Sequence, residues 1–109
     1  MSVRLELLKR YLLEDPSDCF LRYALALEFM SMNDFENAYE HLEKLLNDEP
    51  DYLAAYYMAG KSAEALGKNL QAISWYAKGI EVARQQKNQH TLGELSAALS
   101  LMDDTEESI

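Results

Sequence analysis

The chain has 109 residues, 49% of them hydrophobic and 27% charged, with a net charge of −9 at pH 7. That is a single small domain, apolar enough to fold and acidic enough to repel nucleic acid and anionic lipid surfaces. The longest apolar run, Tyr52 to Gly60, has nine residues, whereas a bilayer crossing needs about 20. Arg4, Glu6, Lys9 and Arg10 interrupt the stretch where a secretory signal requires an apolar core. Cys19 is the single cysteine and has no partner for an internal disulfide, so a cytoplasmic location is expected.

Apolar residues recur at intervals of three and four rather than two, which predicts helices throughout and no strand. The first helix covers 2–13, with Leu5, Leu8 and Leu12 on one face. The acidic cluster around Pro16 ends it. A second helix runs from Cys19 to Met32 behind Asp18 or Ser17 as cap. After the turn at Asn33-Asp34, a third helix runs from Phe35 to Asn47 and stops before Pro50. The fourth covers Tyr52 to Leu66 and ends at Gly67, suited to a left-handed cap. The fifth runs from Leu70 to Gln86. The sixth covers His90 to Met102, with Thr91-Leu92-Gly93-Glu94 as a capping box. Four acids among residues 103–109 predict a disordered acidic tail. Segment charges are −1 over 1–18, −6 over 19–52, +2 over 53–86 and −4 over 87–109, read as solvated helix faces.

Pro16 and Pro50 lie 34 residues apart, and the unit 19–52 parallels the unit 53–86 at the same offset. Tyr23, Ala38 and Lys44 recur as Tyr57, Ala72 and Lys78, and by class Leu25-Ala26 matches Ala59-Gly60. Small residues at Ala26, Ala38, Gly60 and Ala72 let paired helices approach closely, Gly60 against Ala72, while Leu25, Phe29, Leu42, Tyr56 and Tyr76 fill the remaining space.

This pattern resembles the tetratricopeptide repeat, a 34-residue helix–turn–helix unit. Leu25, Ala26, Phe29, Ala38 and Pro50 carry the resemblance in the first unit, and Tyr56, Gly60, Ala72 and Tyr76 in the second. Arg22 departs from the family's opening aromatic, and Arg84 replaces the closing proline, so the fifth helix should run on. The expected architecture is an all-α, right-handed solenoid of antiparallel helix hairpins, about six helices in one domain, 1–102. Within it 2–13 resembles the second helix of a preceding unit, and 88–102 closes the stack with the stripe Leu92, Leu95, Leu99 and Met102. Leu7, Leu8, Tyr11, Leu12 and Leu13 wrap most of the first helix, leaving that end less sealed.

The resemblance implies a non-enzymatic interaction module of scaffold or adaptor type, whose first helices line a concave groove for a partner's peptide or amphipathic helix. Its groove positions here are Phe20, Tyr23, Leu27 and Met30, then Tyr57, Lys61, Glu64 and Ala65, continuing to Leu92 and Leu95, with Tyr23 and Tyr57 stacking as successive rungs. The family's carboxylate clamp of Lys, Asn and Arg is missing, which favours an apolar or aromatic ligand. The alternative is a self-associating unit, a homodimer whose groove a second copy fills.

No catalytic constellation is present, so no enzyme activity, cofactor or metal is expected. His41, among Glu40, Glu43 and Lys44, reads as part of a solvated face, as does His90. Cys19 reads as a small apolar residue, with no histidine near in sequence to activate it. Glu36, Glu40 and Glu43 line a helix without an inward Glu-x-x-His to complete a metal set. Gly60, Gly67, Gly79 and Gly93 fall within or at the ends of helices, so no glycine loop cradles a phosphate.

Overall fold

In a computed structural model the chain is described over residues 2–107, with side chains over 2–102. Short polar side chains start the helices, because each accepts a backbone N–H that the first turn cannot pair internally. Ser2 accepts from Leu5 at 3.0 Å at the head of α1 (Val3–Glu14), and Asp18 from Leu21 at 3.0 Å at the head of α2 (Cys19–Ser31). Asp34 does the same for Asn37 at 3.3 Å in α3 (Phe35–Asp48). The helix α4 (Ala54–Ala65) begins without a side-chain cap, as does α5 (Asn69–Gln85). For α6 (Gln89–Glu107) the acceptor is Asn88, 3.0 Å from the Thr91 amide, so the helix starts earlier than the expected Thr91 capping box.

Two kinds of connection alternate. After α2, α4 and α5 the chain turns through one left-handed residue: Asn33 at φ 60°, Gly67 at φ 73° and Lys87 at φ 57°. The next amide then reaches five residues back, Asp34 to Phe29 at 2.9 Å, Lys68 to Ala63 at 2.8 Å and Asn88 to Ala83 at 2.9 Å, which satisfies a carbonyl of the helix end. After α1 and α3, Asp15 (φ −138°, ψ 77°) and Glu49 (φ −133°, ψ 80°) leave the helix in nearly the same conformation. Each precedes a proline, whose ring keeps its neighbour out of the helical region. The two proline connections are thus one structure repeated.

Each helix packs on its neighbours in sequence, α2 with α4 and α4 with α6 also touch, and α5 reaches α3 through the Trp75 indole N–H, which donates to the Tyr39 hydroxyl at 2.9 Å. The result is an inner layer of α2, α4 and α6 and an outer layer of α1, α3 and α5, with clefts between the outer helices. Extents of 44 × 31 × 20 Å match two layers of helices about 10 Å across. A large core runs from Ala26 to Met102 around Leu42, Leu45, Tyr76 and Leu95, and a smaller one joins Leu5, Leu8 and Leu12 of α1 to Leu25, Phe29 and Ala38. At the N-terminal edge Glu28 accepts from Ser2 at 3.0 Å and pairs with Arg4 at 3.3 Å, fixing α1 to α2.

The expected small residues are all buried, and the close approaches at the helix glycines are made by large side chains. A Cβ at Gly60 would lie 2.1 Å from the Tyr76 ring, and one at Gly79 would lie 2.6 Å from Tyr56 Cβ and 2.9 Å from Leu95 Cδ1. Gly60 therefore receives the Tyr76 ring. Two expected helix bounds also shift. Tyr52 sits in the connection ahead of α4, not within it, and α6 continues past Met102 to Glu107. No proline or glycine interrupts Asp103 to Glu107, so nothing in that stretch stops the backbone ladder. Of the expected tail 103–109, the side chains of 103–107 and all of 108–109 lie outside the described residues.

Ser62 is fully buried on α4, and among the described residues its hydroxyl has no hydrogen-bond partner. Desolvating an unpaired hydroxyl is unfavourable. Ser62→Ala is therefore expected to raise stability by about 1 kcal/mol, read as a higher urea midpoint at unchanged slope.

Candidate functional site

The expected groove residues lie along the inner helices. On α2, Phe20 is 68% exposed, while Tyr23, Leu27 and Met30 are half-buried. On α4, Tyr57, Lys61 and Glu64 are half-buried and Ala65 is exposed. Tyr23, Met30 and Tyr57 all pack against the main core, so each combines a supporting role with an accessible edge. Leu92 is half-buried on α6, but Leu95 is fully buried and leaves the groove set, because the α5–α6 turn points it at the core beside Gly79.

Tyr23 and Tyr57 do not stack on one another as expected. The ring partner of Tyr23 is Tyr52, at 5.3 Å and 46°, and that of Tyr57 is Tyr76, at 6.2 Å and 46°. Each inner tyrosine is propped by a ring from the following connection or outer helix. Tyr52 was missed because it reads as the first residue of a helix; its 29-residue separation from Tyr23 carries no periodic signal.

The polar groups of this face are largely engaged within it. Lys61 Nζ lies 5.4 Å from the Tyr57 ring centre and 3.8 Å from Glu64 Oε2. The buried Tyr76 hydroxyl donates to the same Glu64 carboxylate. Burial, then that hydrogen bond and the Glu64 charge, push the Tyr76 phenol far above its ordinary range. Glu64 thus anchors α4 to α5 and holds Lys61 along the face. What remains accessible is chiefly aromatic and aliphatic.

The tetratricopeptide repeat profile matches residues 21–52 and 53–86, two successive units of α2 with α3 and α4 with α5. The chain belongs to the tetratricopeptide repeat family. It is similar to a tetratricopeptide repeat domain protein of Salinibacter ruber, 40% identical, the match covering 80% of this chain and 97% of that one with a TM-score of 0.76. A TPR repeat-containing protein of Pseudomonas aeruginosa is 25% identical over 91% of this chain and 94% of its own length. A protein of Bordetella parapertussis shares the fold at 24% identity, with a TM-score of 0.83 over 97% of this chain and 92% of that one. The tetratricopeptide repeat fold is that of a protein–protein interaction scaffold, and family members are in general non-catalytic.

Of the remaining candidates in this tetratricopeptide repeat chain, all but one sit as their sequence neighbours suggest. Cys19 is half-buried and free; burial, then the charges of Glu49, Asp48 and Asp18, push its thiol up, away from the thiolate a nucleophile requires. Glu36, Glu40 and Glu43 line a cleft between α3 and α5 with Lys68. Among the described residues no three His, Cys, Asp or Glu side chains are placed to hold a metal ion, and no helix is long and apolar enough to cross a membrane. His90 is exposed, 3.7 Å from Glu94. His41 is the exception: it is half-buried, its ring stacks on Phe29 at 5.6 Å and 14°, and Arg22 donates to its Nδ1 at 3.0 Å. The solvated face expected there holds for Glu40 but not for His41, which lies against Phe29 and Arg22 in a cleft that Lys9, Leu12, Leu13 and Pro16 also line. The 34-residue offset that pairs Arg22 with Tyr56 and His41 with Trp75 was the available signal.

Proposed function

We propose that the chain is a non-enzymatic adaptor that receives an amphipathic helix or an apolar extended peptide on its inner face, over Phe20, Tyr23, Leu27, Met30, Tyr57, Lys61 and Glu64. The observation that supports this most is Phe20, a large ring 68% exposed at the end of a row of half-buried aromatic and aliphatic side chains. Lys61 is already engaged by Glu64 and Tyr57, so the face favours apolar contact over capture of a carboxylate. Aromatic anchors of this kind dominate binding energy at interfaces. The single cysteine supports a cytoplasmic setting.

The test is selection of helical peptides from a displayed library on the whole chain, with two variants. Phe20→Asp changes an exposed residue, so stability should stay within about 0.5 kcal/mol while selected peptides lose more than about tenfold in affinity. Tyr23→Ala combined with Tyr57→Ala should abolish binding and also lower the melting temperature, because both rings pack on the core. Peptides that bind both variants as well as the natural chain would place recognition on another surface.

A second reading, self-association, is supported by α1. Val3, Leu7 and Tyr11, spaced at four, are 76%, 40% and 48% exposed along its outer edge, and apolar stripes of this kind commonly mark contacts. Sedimentation equilibrium at tens of micromolar separates the readings: a dimer lost in Leu7→Asp supports self-association, and a monomer removes it.

A further inference from the structure

The first unit differs from the second at one pair of positions, and the difference opens a cleft. In the second unit Tyr56 and Trp75 lie 6.0 Å apart, and the Tyr56 hydroxyl donates to the Pro50 carbonyl at 2.6 Å. The equivalent places 34 residues earlier hold Arg22 and His41. Arg22 Nη2 keeps the proline contact, donating to the Pro16 carbonyl at 3.3 Å, and Nη1 donates to His41 Nδ1 at 3.0 Å. Replacing two broad rings by a guanidinium and an imidazole leaves a cleft of about 370 Å³ between α1 and α3. That volume is within the range of small-ligand sites.

Leu12, Leu13 and Leu25 wall the cleft, and Lys9, Arg22 and His41 supply its polar side chains. No carboxylate lines it, although the chain carries 19 acids against 10 bases; Glu6 pairs with Lys9 Nζ at 3.8 Å on the exposed side of α1, and Glu40, next to His41 in sequence, acts on it through its charge. Two of the five guanidinium N–H donors of Arg22 are engaged, leaving the others for a ligand. Because Nδ1 of His41 accepts from Arg22, its Nε2 carries the proton and is a further donor. Burial, then the Arg22 charge, lowers the His41 pKa, consistent with that neutral ring.

We propose that this outer cleft is a second binding site, distinct from the inner face, for a carboxylate carried on a compact apolar body. The carboxylate would pair with Arg22 and Lys9, and the apolar body would lie against the three leucines. A peptide C-terminus with a leucine-like last residue and a free branched aliphatic acid share this chemistry.

The experiment is titration of the whole isotope-labelled chain, followed by backbone amide shifts, with N-acetylglycylleucine, with 4-methylpentanoate and with the amide of each. At least one carboxylate should shift amides of α1, α2 and α3 around the cleft saturably, and its amide should bind at least about tenfold more weakly, the loss of a charge-assisted contact. Response to the dipeptide alone assigns a chain terminus, response to 4-methylpentanoate alone a free acid, and both support the site. Lys9→Gln, on an exposed residue, should weaken binding several-fold. Arg22→Tyr combined with His41→Trp, which copies the second unit, should keep the helical spectrum and abolish binding. Shifts from neither carboxylate, equal binding of the amides, or unchanged binding in Lys9→Gln would overturn the proposal.

Discussion

Gly60→Leu is expected to unfold the chain or reduce its stability by more than about 3 kcal/mol, beyond the usual overpacking range of about 1–3 kcal/mol. The reason is distance: even the first added carbon would sit 2.1 Å from the Tyr76 ring. Tyr76 has no room to retreat, being fully buried with its hydroxyl on Glu64. Gly60→Ala should already be costly, with Gly60→Leu worse, in urea unfolding followed by circular dichroism. A Gly60→Leu chain that melts within a few degrees of the natural one would mean that α4 and α5 separate without loss, contrary to the packing described.

The second large effect is alkaline. Stability should fall steeply above about pH 10, and Tyr76→Phe should flatten that fall. Burial first, then the bond to Glu64 and its charge, raise the Tyr76 phenol above the ordinary value of 10.0; burial also raises Tyr23, Tyr52 and Tyr56. Above pH 10 the unfolded chain releases these protons while the folded chain retains them, so the unfolded state binds fewer protons and is favoured as pH rises. For Tyr76 the slope is about 1.4 kcal/mol per pH unit. At neutral pH Tyr76→Phe should be less stable by about 1–2 kcal/mol through loss of the hydroxyl bond. Urea midpoints at neutral pH and at steps above pH 10 should therefore converge for the two chains. Parallel curves would show that the Tyr76 hydroxyl ionises as freely folded as unfolded.

The helical repeat was legible because its punctuation is chemical. Pro16 and Pro50 restrict the residue before them, and Asn33 and Gly67 suit a left-handed turn, so the 34-residue period shows in residue type alone. Lys87 makes the same turn without a residue that advertises it, and Asn88 caps α6 where Thr91 was expected. The inner-face positions came from the resemblance to the repeat family, which puts Phe20, Tyr23 and Leu27 on α2 and Tyr57, Lys61 and Glu64 on α4. The ring pairing there was not legible, because Tyr52 and Tyr76 arrive from a connection and another helix. His41 was read from its polar neighbours in sequence, whereas the α1–α2 connection and Phe29 decide its surroundings.

Gly60 of α4 receives Tyr76 of α5, and Gly79 of α5 receives Tyr56 of α4. The exchange is reciprocal, so the hairpin closes like a two-pin latch. Slipping one helix by a turn, about 5.4 Å, would carry both tyrosines out of their notches and drive them into side chains of ordinary size. Two glycines thus give the second unit a single alignment at which it can shut, independently of the loop that joins its helices.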